Sequence, residues 1–221
     1  MRFTADYVER ATLRDGTAVV IRLLAPEDRA LLRRGFEQLS EESRYRRFLG
    51  AKPRLSDEEL RYLCEIDQQD HFALGAIRED GDGHGNPIGL GIARFIRLPT
   101  TPDAPITAEA AIAVADELHG RGLGKLLLDR LCEAGAERGI ECFRCEVLGD
   151  NRSMAQLIDA IAPDHSVEVA AGVMSFDFRL PAAGDPADPA ARARKATPPR
   201  GLSELLRAAA ARLLDVVRLG P

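Results

Sequence analysis

Three glycines at alternate positions, Gly120, Gly122 and Gly124, stand in His119-Gly-Arg-Gly-Leu-Gly-Lys125, between an apolar run and the leucines Leu126, Leu127 and Leu128. Where a strand turns into a helix, glycines let backbone N–H groups converge on an anion with no Cβ atoms in the way. The helix dipole adds favourable potential there, and Arg121 and Lys125 supply charge at the rim. That chemistry is a phosphate cradle, although a tight turn without a ligand explains the same glycines equally well. Spacing excludes two phosphate motifs. No Gly-Lys-Ser/Thr follows four residues after a glycine, which removes the nucleoside-triphosphate loop. The strand before the glycines comes late, rather than in a leading βαβ unit, which disfavours a dinucleotide fold.

The other reactive side chains carry less. Cys142 and Cys145 form a Cys-x-x-Cys pair inside Ile140-Glu-Cys-Phe-Arg-Cys-Glu-Val-Leu148, which reads as a strand. Residues three apart on a strand point to opposite faces, so the pair is read as two structural thiols rather than a redox or zinc site. His71, His84 and His165 are far apart and show no metal-ligand spacing, so no metal is expected. Asp116 and Glu117, beside the glycine loop, are read as capping or solvated acids.

The elements that must position these residues follow from the pattern. Val19 to Leu24 reads as a first strand, and Pro26, Glu27 and Asp28 open a helix that runs to about Leu39. Ser56 with Glu59 makes a capping box for a second helix over about 57–66. His71 to Arg78 and Ile88 to Leu98 read as a hairpin around the turn Gly81-Asp-Gly-His-Gly-Asn86. A strand from Ile106 to Glu117 runs into the glycine loop, and a helix over about 124–138 stops at Gly139. The strand at 140–148 leads to Asp150 or Asn151 as cap of a helix over about 152–161, and Val167 to Ala171 and Val173 to Leu180 close the domain as strands. Two early helices followed by a three-strand meander do not make a doubly wound alternation, so a mixed central sheet is expected.

Chain length and charge bound the remaining possibilities. At 221 residues the chain has room for one domain and an appendage. A net charge of -5 argues against a nucleic-acid partner. No run of about 18 apolar residues offers a membrane span, and no basic region followed by an apolar stretch opens the chain, so a cytoplasmic protein is expected. Residues 181–201 are rich in Ala, Pro, Gly, Asp and Arg and read as a linker. Over 202–221, Leu202, Leu205, Leu206, Ala209, Leu213, Val216 and Val217 recur at helical spacing as an amphipathic tail helix. It is expected to dock on its own domain or on a second copy in a homodimer, and adsorption to a membrane surface or a partner groove is the competing reading.

The strand, the His-x-x-Gly-x-Gly at 119–124, the helix with Leu126, Leu127 and Leu128, and Asn151 after the next strand resemble the acyl-CoA-binding core of the GNAT N-acyltransferase superfamily. Ser43-Arg-Tyr-Arg-Arg-Phe48, Leu55-Ser-Asp-Glu-Glu-Leu60, Asp67 and His71-Phe-Ala-Leu74 are similar to the acetyltransferase domain of bacterial protein lysine acetyltransferases. The resemblance covers about residues 19–180. It implies an α/β (α+β mixed) fold, a GNAT-like central mixed, mostly antiparallel sheet flanked by helices, to which the tail adds a C-terminal amphipathic helix.

For particular positions the resemblance implies that the pyrophosphate of acetyl-CoA lies on the N–H groups of Gly120, Arg121, Gly122, Leu123, Gly124 and Lys125. The pantetheine arm would pair with the backbone of Ile112, Ala113 and Val114 like an extra strand. One backbone N–H there would polarise the thioester carbonyl, an effect of about 3 kcal/mol in acyl transfer. A lysine acceptor has an ordinary pKa of about 10.4 and must lose a proton before it attacks, so a base is needed. Glu109 is the candidate, sharing a strand face with Ala111, Ala113 and Ala115 unless a bulge shifts the parity; an ordinary surface carboxylate is the other reading. Asn151 would bond the coenzyme arm or cap a helix. His119 stands where Gln or Arg is usual and is expected to donate to phosphate or backbone. Ile158-Asp-Ala-Ile-Ala-Pro-Asp164 lacks the tyrosine that would reprotonate the CoA thiolate, so no general acid is assigned.

The reading is an acetyl-CoA-dependent N-acetyltransferase over 1–180 that transfers acetyl directly to a primary amine, a protein lysine being one acceptor. A small-amine acetyltransferase and a non-catalytic acyl-CoA sensor or interaction module are the alternatives.

Overall fold

A computed structural model describes residues 1–81 and 86–181. Most of the turn expected at 81–86, the tail helix, and the linker apart from its first residue lie outside the described residues. The strands are β1 (Val8–Thr12), β2 (Ala18–Leu23), β3 (His71–Arg78), β4 (Ile88–Arg97), β5 (Thr107–Val114), β6 (Cys142–Leu148), β7 (Ser166–Ala170) and β8 (Val173–Arg179). The helices are α1 (Arg29–Gln38), α2 (Glu41–Phe48), α3 (Asp57–Cys64), α4 (Leu123–Glu137) and α5 (Arg152–Ile161), with single 3-10 turns at Pro26–Asp28 and Asp116–Leu118. The strands form one sheet in the order β1-β2-β3-β4-β5-β6-β8-β7. β5 and β6 run parallel, and the other six neighbouring pairs are antiparallel.

Two layers of helix cover the sheet. On one face, α4 buries Leu123, Leu127, Leu128 and Leu131 completely. It packs against β3, β4 and β5. Beneath it runs an aromatic row, Phe72, Phe95, Phe143 and Phe178, with ring centroids 5.3, 5.5 and 6.0 Å apart in turn. The row crosses β5 because that strand offers only Ala110 opposite Phe95 and Ala108 opposite Phe143. Gly135 lets α4 come down onto it: a Cβ there would stand 2.8 Å from the Phe143 ring. The other face carries α1, α2 and α3, with Leu24, Cys64 and Ala73 in one small core and Phe36, Leu55 and Leu60 in another.

Most expected elements are present, and three boundaries are corrected. A strand, β1, precedes the one expected first; it is an edge strand with alternate residues exposed, and its Val-Glu-Arg-Ala-Thr sequence carries too little apolar alternation to be noticed. Three helices rather than two follow β2, because α2, Glu-Glu-Ser-Arg-Tyr-Arg-Arg-Phe, buries no residue fully and lacks an apolar stripe. β5 ends at Val114 instead of reaching Glu117, since Asp116–Leu118 form a 3-10 turn. The Ser56/Glu59 capping box is formed as expected. Among the described residues no helix is long and apolar enough to cross a membrane.

Candidate active site

The parallel pair at the centre of the sheet is the origin of the site. β5 and β6 are paired over only three positions, Thr107 with Cys142, Ala108 with Phe143 and Glu109 with Arg144. Beyond Glu109 the strands part, while β5 stays paired with β4 as far as Val114. The β6-facing edge of β5 therefore loses its ladder partner, and unpaired backbone groups on such an edge are ready to accept an added strand. A cleft of about 510 Å³ fills the opening. Glu109 to Val114 form one wall, Cys145, Glu146 and Val147 the other, and His119, Gly120, Gly122, Gly124 and Lys125 close its far end.

At that end α4 begins without a side-chain cap among the described residues. The first intrahelical bond is from Leu126 N–H to the Gly122 carbonyl, at 3.1 Å, so the N–H groups of Leu123, Gly124 and Lys125 have no acceptor within the helix. Gly120 and Gly122 adopt φ of +73° and +97°, a region that disfavours any side chain. Gly124 is different: a Cβ there would make ordinary contacts with Leu157 at 3.5 Å and Ile112 at 3.6 Å.

The charges around this mouth differ from the expected set. Arg121 is ion-paired with Asp15, and Lys125 with Asp129 at 2.6 Å. The N–H and hydroxyl of Thr17, then the Arg121 guanidinium, hold the Asp15 carboxyl at about 2. The cleft instead receives Arg14, which has no ion pair among the described residues; its Nε lies 3.7 Å from where a Gly122 Cβ would be. Its backbone N–H donates to the Arg121 carbonyl at 3.4 Å, which ties the β1–β2 turn to the glycine loop. Sequence reasoning missed Arg14. The available signal was Asp15-Gly16, a hairpin dipeptide whose glycine sits at φ +87°.

His119, at the far end of the cleft, bonds the Val114 carbonyl through Nε2, at 3.1 Å. It thus satisfies one of the β5 groups expected to meet the pantetheine arm. Asn151 caps α5, its Oδ1 accepting from Met154 N–H at 3.2 Å, which leaves the side-chain amide nitrogen to donate into the cleft it lines.

Glu109 stands at the narrow end. The β4–β5 register is regular, Ile96 with Glu109, Arg94 with Ala111 and Ile92 with Ala113, so the expected parity of Glu109, Ala111 and Ala113 holds; Ala115 lies beyond the strand. Their face is the one covered by α2, whose Ser43, Arg46 and Arg47 also line the cleft. Burial pulls the Arg47 guanidinium below its usual range, and the Glu109 charge opposes the shift. Asp116 does cap a helix, but that helix is α2, 76 residues earlier: it accepts from Ser40 N–H at 2.7 Å and from the Ser43 hydroxyl. The four cysteines are free and buried, and burial pushes the thiols of Cys142 and Cys145 up. Cys145, in the cleft wall, is held as a thiol rather than a nucleophilic thiolate. No three His, Cys, Asp or Glu side chains gather to hold a metal among the described residues.

A split parallel pair thus leads into an uncapped helix mouth, with the Glu109 carboxylate in the same cleft. The sequence model of the acetyltransferase (GNAT) family matches residues 34–159, and the chain belongs to that family. The acetyltransferase Pat of Mycolicibacterium smegmatis is 30% identical over 67% of this chain, which spans 42% of that relative. An acetyltransferase of Pseudomonas aeruginosa is 31% identical over 72% of this chain and 84% of its own length. The crystal structure of the GNAT domain of Streptomyces lividans PAT, 30% identical, superposes with a TM-score of 0.70, covering 80% of this chain and 99% of that one. The chain is an acyltransferase, and the sensor reading is set aside.

Proposed function

We propose that the chain transfers an acetyl group from acetyl-CoA directly to a primary amine, with a protein lysine as the acceptor. The observation that carries this reading is the parting of β5 from β6 at Glu109, which joins a carboxylate, an unpaired strand edge and an uncapped helix mouth in one cleft. The residues present fit the coenzyme. Glycines at φ +73° and +97° admit backbone amides to a diphosphate, and Arg14 adds a guanidinium at the rim. The coenzyme supplies an activated acyl thioester. The chain supplies the rest: amides of the loop from Gly120 to Lys125 hold the phosphates, except that of Arg121, which donates to the Leu118 carbonyl at 3.3 Å, and the edge of Ile112, Ala113 and Val114 aligns the pantetheine arm. A β5 N–H polarises the carbonyl, and Glu109 takes the proton of the incoming ammonium, directly or through water. Burial pushes the Cys145 thiol up, which disfavours the thiolate that a covalent acyl-enzyme would need.

The protein-lysine acceptor is supported by the similarity to Pat and to the PAT domain. Four reduced, buried thiols suit a reducing compartment and support a cytoplasmic setting. Isothermal titration with CoA is expected to show saturable binding, and no heat at millimolar CoA refutes the cleft assignment. Mass spectrometry of a lysate incubated with labelled acetyl-CoA is expected to show label on lysine residues only when the protein is added. Label confined to small amines replaces the protein acceptor with a small-molecule one.

A further inference from the structure

Acetyl transfer makes no use of a second cavity, of about 100 Å³, between α1 and the sheet. Leu24, Leu31, Leu32, Phe36 and Leu63 line it, and Arg47 and Arg94 are the charged residues at its border. The Arg94 guanidinium is engaged by His71 Nε2 at 2.9 Å and the Leu63 carbonyl at 3.2 Å, and most of the remaining lining is apolar. A mostly apolar space of this order is large enough for a small apolar group; an enclosed one of about 150 Å³ holds benzene. Glycines create the space. A Cβ at Gly35 would meet nothing within 4 Å, and one at Gly89 would stand 3.7 Å from Leu31.

The cavity adjoins the coenzyme cleft. Leu39, Arg47, Ala113 and Val114 line both, and Ala113 and Val114 belong to the strand edge assigned to the pantetheine arm and thioester. Ala113 shares the strand face of Glu109, toward the α1 and α2 layer, so only a small side chain stands between the two spaces at that position. A thioester whose carbonyl is polarised from this edge has its acyl end beside that wall.

We infer that the cavity is an acyl-chain pocket, and that the enzyme takes aliphatic acyl-CoA thioesters of four or more carbons as well as acetyl-CoA. This rests on the coenzyme reading of the cleft. The transfer keeps its balance whatever the chain. One ammonium proton passes to Glu109, the freed amine nitrogen forms a bond to the acyl carbon, the C–S bond breaks with its electron pair on sulfur, and the second proton, lost from that nitrogen as the adduct collapses, reaches the thiolate through water.

Isothermal titration of the full chain with CoA, acetyl-CoA and butyryl-CoA tests the inference without an acceptor. Each buried methylene is worth about fourfold in affinity, so butyryl-CoA is expected to bind about fifteenfold tighter than acetyl-CoA. Gly35→Leu, which fills the cavity and replaces a helical glycine by a better helix former, is expected to abolish that gain and leave acetyl-CoA binding unchanged. Gly89→Ala, whose Cβ fits, is expected to reduce it partly, and melting curves confirm that both variants fold. Equal wild-type affinities for butyryl-CoA and acetyl-CoA overturn the inference while leaving the coenzyme reading intact; so does a butyryl gain that survives in a folded Gly35→Leu. An apolar amine that loses affinity in Gly35→Leu while the butyryl gain persists assigns the cavity to the acceptor. Absence of binding by all three thiols and thioesters refutes the coenzyme reading itself.

Discussion

Arg14 is expected to matter more to coenzyme binding than either cation of the glycine loop. The structural reason is charge already committed. Arg121 is paired with Asp15 and Lys125 with Asp129, whereas Arg14 reaches the cleft with no carboxylate of its own among the described residues. One hydrogen bond from a guanidinium to phosphate contributes about 1.5–3 kcal/mol, so Arg14→Gln is expected to weaken CoA binding by roughly 10- to 150-fold. Arg121→Gln removes a charge whose field Asp15 already offsets at the surface, and pairs of that kind are worth about 0–1 kcal/mol, a loss of roughly fivefold at most. Asp15→Asn works in the opposite direction: it releases Arg121 toward the mouth and is expected to tighten binding. Isothermal titration of each variant at low and moderate salt reads all three effects, and the salt dependence of CoA binding is expected to be shallower in Arg14→Gln. Titration with CoA lacking its 3′-phosphate shows which phosphate Arg14 meets. A loss of twofold or less in Arg14→Gln, or a larger loss in Arg121→Gln, refutes the reasoning.

Glu109→Gln is expected to lower turnover about a hundredfold or more near neutral pH and progressively less as the amine loses its own proton at high pH; a loss that is the same at every pH removes Glu109 as the base. The loop glycines are expected to separate in thermal melts. Gly122→Ala, at φ +97°, costs on the order of 1–2 kcal/mol, whereas Gly124→Ala makes ordinary contacts at 3.5 and 3.6 Å and stabilises the first turn of α4 by about 0.5–1 kcal/mol; equal shifts refute the distinction. Burial, and then the charge of Arg94, holds His71 at about 4, against an ordinary value near 6.5. Between those two values the unfolded chain takes up a proton that the folded chain refuses, so stability is expected to fall as pH drops from 6.5 to 4. Denaturant midpoints measured across that window are expected to flatten in His71→Gln, which retains an acceptor for Arg94; an unchanged slope assigns the acid sensitivity elsewhere.

What could be read from the sequence was what neighbours in the chain decide among themselves. The glycine loop, the Ser56/Glu59 box and the Asn151 cap each need only a few consecutive residues, and each is formed. The parity that places Glu109 with Ala111 and Ala113 was equally local, because no bulge interrupts β5 against β4. The site itself was not local. Pairing of β5 with β6 stops at Glu109 although both strands continue, and nothing in either periodicity marks the stop, since a strand that loses a neighbour keeps its alternation. Helix α2 was invisible for a related reason: it buries no residue fully, and it is fastened by Asp116 through Ser40 and Ser43 rather than by an apolar stripe. The same contact joins the α2 wall of the cleft to the turn that leads into the glycine loop. The two are thus braced by one carboxylate, which burial opposes but bonds from Ser43 and Ser40 hold ionised below its usual range. A residue that reads in sequence as a solvated acid beside a loop sets, in the folded chain, where the arginines of α2 stand relative to Glu109.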